Sequence, residues 1–193
     1  MNAESEQPVY VVSGLPRSGT SMMMQMLDAG GLAVLTDRIR SADDDNPQGY
    51  YELEAVKRSA DDTGWVCEAP GKAVKIIYRL LEYLPADFRY RVLFMDRPLG
   101  QVIASQQVML ERRGSDGATV SNDQLQALFS SELQRVKSWL EQQANFEWIG
   151  ISHAAVLNNG LVEAERIRKF LDVDLDVQAM AARVDRQLHR QRS

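Results

Sequence analysis

The residues with the clearest chemistry lie in the stretch VVSGLPRSGTS, from Val11 to Ser21. Gly14 and Gly19 stand five positions apart, as in the phosphate-binding loop GxxxxGK[ST]. In that loop successive backbone N–H groups cradle phosphate while the lysine reaches the outer phosphates of a triphosphate. Here Thr20 occupies the lysine position, Ser21 follows it, and the nearest cation is Arg17, inside the loop. Two glycines at this spacing also make an ordinary tight turn. A β-branched run before them and good helix formers after them favour the loop, whose amides at a helix N-terminus suit a phosphate or sulfate group. Arg17 adds a planar, permanently charged fork. The missing lysine argues against a triphosphate hydrolase, not against phosphate binding in general.

A second constellation lies in FMDRPLGQVIASQ, which puts Arg97 at the end of an expected strand and Ser105 eight residues later, two turns into the following helix. With PRSGTS it resembles the sulfotransferase family, whose donor is 3′-phosphoadenosine 5′-phosphosulfate (PAPS) and whose nucleotide product is 3′-phosphoadenosine 5′-phosphate (PAP). The resemblance runs from about Val9 to Leu171, since NPQGYYE and SHAAVLNN before an amphipathic helix also look like bacterial members. It implies that Pro16, Arg17, Ser18, Gly19, Thr20 and Ser21 hold the 5′-phosphosulfate, and that Arg97 and Ser105 hold the 3′-phosphate. It further implies that Arg17 takes the place of the loop lysine of cytosolic members, that Thr20 and Ser21 bond the 5′-phosphate, and that no metal is needed. Taken singly, Arg97 is also compatible with a surface salt bridge and Ser105 with a solvated helix position.

The general base is where the chain departs from cytosolic members. They carry a histidine two residues after a strand lysine, and the position after Lys75 that matches is Ile77, which accepts no proton. Of the two histidines, His153 reads as a hydrogen-bonded structural residue and His189 as part of a solvated polar tail. Other sulfotransferases use a glutamate, which makes Glu52 the leading candidate, with Glu68 and Asp45 behind it; a carboxylate serves as base when burial raises its pKa. The glycine-rich basic motif near the C-terminus of cytosolic members has no counterpart in VDRQLHRQRS, and Arg112 and Arg113 are candidates for its cations. Lys72 and Lys75 read as strand-flanking cations, and as alternatives should Arg17 prove a simple anchor. Tyr50, Tyr51 and Trp65 could line an acceptor pocket or anchor a loop. The Asp43 to Asp45 run reads as a solvated face.

The elements that position these residues follow from the apolar pattern. Strands are expected at Val9 to Ser13, Leu32 to Leu35, Ala73 to Ile77, Arg91 to Met95 and Phe146 to Ser152, with helices from Ser21 to Ala29, near Glu52 to Ala60, after Pro98, after the Ser121 to Gln124 capping box, and from Leu161 to Leu171. Met22 to Met26 (MMMQM) would pack the loop helix on the sheet. The segment 36–71 reads as a long acceptor-side loop region, and 111–123 as a mobile loop by composition. Strands alternating with helices predict an α/β three-layer sandwich with a central parallel sheet of the P-loop nucleotide-binding type, its ligand beyond the carboxyl ends of the strands.

A chain of 193 residues with 45% hydrophobic and 25% charged residues is most simply one soluble domain, 1–193. The net charge of -5 makes nucleic acid a weak partner, and the single Cys67 excludes an internal disulfide. No signal peptide or membrane-spanning run is visible, so a cytoplasmic setting and no membrane partner are expected. The expected function is sulfuryl transfer from PAPS to a hydroxyl or amine of a small acceptor. The alternatives are a P-loop phosphotransferase or nucleotide hydrolase, and a catalytically degenerate nucleotide-binding homologue. The resemblance leaves the oligomeric state open.

Overall fold

Four parallel strands form one sheet in the order β2-β1-β3-β4: β1 Val9–Gly14, β2 Ala73–Lys75, β3 Tyr90–Asp96 and β4 Phe146–Ser152. The computed structural model describes residues 7–37, 50–112 and 121–184. Alternation along the strands builds two cores. Val9, Val11, Val92 and Phe94 face one side, where Val102 of α2 (Leu99–Arg112) and Val136 and Leu140 of α3 (Asn122–Gln142) cover them. Tyr10, Val12, Leu93 and Met95 face the other, against α1 (Thr20–Ala29), α4 (His153–Asn158), α5 (Gly160–Leu171) and α6 (Val177–Ala182). The expected three-layer α/β architecture is therefore the one adopted.

Met23, Met24 and Met26 are fully buried in the second core, so the methionine run does pack the loop helix on the sheet. The capping box forms as read: the Ser121 hydroxyl accepts from the Gln124 N–H, and the Gln124 side chain accepts from the Ser121 N–H.

Four expectations about elements are corrected. The strand expected over Ala73 to Ile77 ends at Lys75. Leu32 to Leu35 makes only a single parallel bridge, Val34 to Ala73; it runs beside an edge strand of just three residues, which offers few places to pair. The helix expected over Glu52 to Ala60 is a 3₁₀ turn, Glu54–Arg58, closed at once because the Val56 carbonyl accepts from both the N–H and the hydroxyl of Ser59. Of the loop expected at 111–123, both ends are helical: α2 runs through Arg112, and α3 begins at Asn122 behind its Ser121 cap. Residues 38–49, 113–120 and 185–193 lie outside the described residues, and with them Asp43 to Asp45, Arg113 and His189. Among the described residues no helix is long and apolar enough to cross a membrane.

Candidate functional site

Because all four strands are parallel, their carboxyl ends share one edge, and the chain leaves β1 toward β2 on one side and β3 on the other. Ligands of open α/β sheets bind at such a switch point. The loop after β1 and the Arg97 segment after β3 are neighbours there, since Gly14 is paired with Met95.

The loop is held in an unusual backbone course. Gly14 (φ 142°) and Gly19 (φ 103°) adopt conformations that disfavour side chains, and Arg17 occupies the left-handed region at φ 71°. A non-glycine residue there costs about 1–3 kcal/mol and persists only where its surroundings over-determine it. The surroundings of Arg17 do so at two points. Arg97 donates from Nη1 to the Arg17 carbonyl at 2.9 Å, and the Arg17 side chain donates from Nε to Ser105 Oγ at 3.1 Å. Arg97 is itself braced by Gln101, at 3.2 Å from its Nε. The second motif thus folds onto the first. Residues read as ligands for a 3′-phosphate also aim the loop arginine, a role that spacing alone does not disclose.

Charge accumulates at this point. Burial, and then the nearby positive charge of Arg17, pull the Arg97 guanidinium below its ordinary pKa. Asp96, the acid adjacent to Arg97 in sequence, is turned to Lys137 at 2.7 Å. Among the described residues no carboxylate pairs with Arg17 or Arg97. Immediately beside them α1 begins at Thr20 with no acidic residue in its first turn and no cap from Gly19, so its positive end adds to the charge there. Within the loop Ser18 is buried, its hydroxyl unpartnered, as is that of Ser13 in β1. Pro16 is exposed at the loop tip.

A second node lies beside the first turn of α1. Lys75, at the carboxyl end of β2, donates to the Tyr50 carbonyl at 2.6 Å, reaches Ser21 Oγ at 3.4 Å and pairs with Glu52 at 3.6 Å. Glu52 is also 3.8 Å from Lys57, and its carbonyl accepts from the Thr36 hydroxyl at 2.8 Å. The leading base candidate is therefore brought to the loop, but through a lysine. Lys75, expected as a strand-flanking cation, stands at the carboxyl end of β2 because the strand stops two residues short of the expected Ile77. Lys72 precedes β2 and so lies at the opposite edge of the sheet.

The remaining candidates separate. Trp65 is buried with Nε1 on Ser59 Oγ at 3.1 Å and anchors its loop, whereas Glu68 is exposed. Tyr51, at φ 51°, donates its hydroxyl to Asp28 at 2.8 Å on the flank of α1, and Tyr50 is buried beneath Lys75. Ile77 is exposed just past β2. His153 is buried at the end of β4, against Gly19. Arg112 ends α2. No protein-family model matches this sequence, and neither does any curated protein.

Proposed function

We propose that the chain is a PAPS-dependent sulfotransferase acting on a small acceptor. The observation that carries this reading is the convergence of the Arg17 and Arg97 guanidiniums, without a carboxylate between them among the described residues, at the N-terminus of α1. Two guanidiniums and a row of helix amides fit a ligand with more than one phosphate-like group. The unpartnered Ser18 hydroxyl adds a donor in the loop. The loop from Pro16 to Ser21 binds the 5′-phosphosulfate, while Arg97 and Ser105 serve the 3′-phosphate.

PAPS supplies an activated sulfuryl group: the acceptor oxygen or nitrogen forms a bond to sulfur, the sulfur–oxygen bond to the 5′-phosphate breaks, and its electron pair stays on the phosphate oxygen. Arg17 neutralises that oxygen as charge grows on it, a contribution of about 100-fold to 1000-fold for one preorganised donor. Glu52, held beside Ser21 by Lys75, takes the acceptor proton.

Calorimetric titration with PAP, ADP and ATP, each with and without magnesium, tests the reading. PAP is expected to bind far more tightly than ADP or ATP, with no magnesium requirement, because Thr20 replaces the loop lysine that serves a triphosphate. Equal affinity for PAP and ADP, or binding that needs magnesium, would replace it with the phosphotransferase reading.

A further inference from the structure

Gly19 is the residue at which the phosphate loop becomes helix α1, and its left-handed turn decides where the first amides of the helix point. Being glycine, it brings no side-chain cap to the helix. What lies against it is His153: a Cβ built on Gly19 would stand 2.6 Å from His153 Cδ2 and 3.5 Å from Nε2, with Met95 Cε at 3.3 Å on the same side. The first of these distances is shorter than real carbon contacts allow.

The backbone that carries the imidazole is fixed from two directions. His153 follows directly on β4, which is paired with β3 as far as Asp96 and Ser152, and it opens α4, whose N-cap Ser152 accepts from the Ala155 N–H at 3.3 Å. His153 is buried, which sets it apart from an ordinary solvated histidine. A strand end and a capped helix thus fix the backbone that carries the His153 ring over Gly19.

We propose that His153 is a positioning residue for the phosphate loop: packed with Met95 on Gly19, it holds the left-handed turn and so sets the direction of the Thr20 and Ser21 amides. It acts through the loop and touches neither donor nor acceptor. This inference rests on the reading of the loop as the donor's anion site. Gly19 is then required for two separable reasons, the backbone conformation and the space the ring takes.

A four-cornered comparison separates them: wild type, Gly19→Ala, His153→Ala and the double variant, with PAP affinity from calorimetry and melting temperature for each. His153→Ala is expected to fold and to bind PAP at least about 3-fold more weakly. Gly19→Ala is expected to be at least about 3-fold less damaging to PAP affinity in the His153→Ala background, since the ring it strikes is gone while the strain at φ 103° remains; contacting pairs couple by about 2-fold to 150-fold. His153→Leu, which keeps bulk over Gly19, should retain most of the affinity; should His153→Ala fail to fold, His153→Ser, which also clears the space over Gly19, replaces it in the comparison.

A merely structural role would lower the melting temperature and leave the affinity of the folded protein unchanged. That result, or equal losses from Gly19→Ala in both backgrounds, would overturn the proposal. If wild type binds no PAP, the sulfotransferase reading falls alone, and the same comparison is read with inorganic phosphate as the probe: losses of affinity that couple between Gly19 and His153 sustain the hold on the loop, and additive losses overturn it.

Discussion

Arg17 and Ser105, 88 positions apart, meet at 3.1 Å, the arginine Nε donating to the serine hydroxyl and tying the β1 loop to helix α2. The loop cation is therefore aimed from outside the loop. Ser105→Ala should leave the charge of Arg17 in place but free its direction. A neutral hydroxyl contributes about 0.5–1.5 kcal/mol, so PAP affinity should fall by about 2-fold to 10-fold. Turnover should fall further than affinity, because charge on the bridging oxygen develops only as sulfate leaves. Arg17→Ala should show the same split more strongly, with partial rescue by Arg17→Lys, which restores charge without the fork. Donor affinity measured beside the rate of donor hydrolysis to water checks both; equal losses in the two would make Arg17 a simple anchor.

Arg97 holds the carbonyl of Arg17 with Nη1 while Gln101 accepts from its Nε, so its two prongs have different tasks. Hydrogen bonds to charged groups contribute about 1.5–3 kcal/mol, and Arg97→Ala should weaken PAP binding by about 10-fold to 150-fold, more than Ser105→Ala does. Arg97→Lys should recover little, since one ammonium cannot satisfy both partners in the same geometry. Calorimetry on the folded variants measures this, and normal affinity in Arg97→Ala would remove Arg97 from the 3′-phosphate site.

Glu52 and Lys75 form the second node, 3.6 Å apart beside Ser21. With Glu52 as the acceptor's base, Glu52→Gln should lower turnover by about 100-fold to 10,000-fold with donor affinity nearly intact. Lys57→Ala, which removes only the outer and more exposed partner of Glu52, should change turnover little. Steady-state rates with a working acceptor, together with PAP titration, separate the two. Unchanged turnover in Glu52→Gln would leave the carboxylate with an ion-pair role only.

The parallel sheet and its two covered faces were legible because β-branched runs such as Val9 to Val12 and helical spacing such as Leu125 to Leu140 are local signals that tertiary packing reinforces. The backbone course of the glycine loop was legible for the same reason, since Gly14 and Gly19, both at positive φ, lie five residues apart. Contacts between distant segments were not. Nothing local tells that the Arg97 guanidinium bonds the Arg17 carbonyl, or that the His153 ring covers Gly19. The short strand β2 was overextended because apolar Ile76 and Ile77 continue its pattern, although Ile76 still donates to the Val12 carbonyl at 3.0 Å beyond the strand's end. Lys75 was undervalued because a strand's composition does not say which of its ends meets the loop; only the parallel register with β1 does.

The last prediction concerns stability at high pH. Tyr78 is buried where the turn Tyr78–Tyr83 meets α3, and its hydroxyl donates to Glu132, which also binds Arg79. Burial, then the hydrogen bond to Glu132, push its pKa up to about 12, from 10.0. The positive charge of Arg79 acts the other way and does not reverse the shift. A folded-state pKa raised above the unfolded one means that the unfolded chain loses the proton first. The stabilisation is therefore complete below pH 10.0 and is lost as pH rises to about 12. Over that window one such group contributes a slope of at most about 1.4 kcal/mol per pH unit. Tyr90 and Tyr10 are also raised, both chiefly by burial, and add to the same trend. Comparison with Tyr78→Phe isolates the single residue. Urea unfolding from pH 9 to 12 should show wild type losing stability more steeply than Tyr78→Phe, the two curves converging toward the upper end. Parallel curves across the window would mean that the Tyr78 hydroxyl is solvated, and that Glu132 joins α3 to the turn through Arg79 alone.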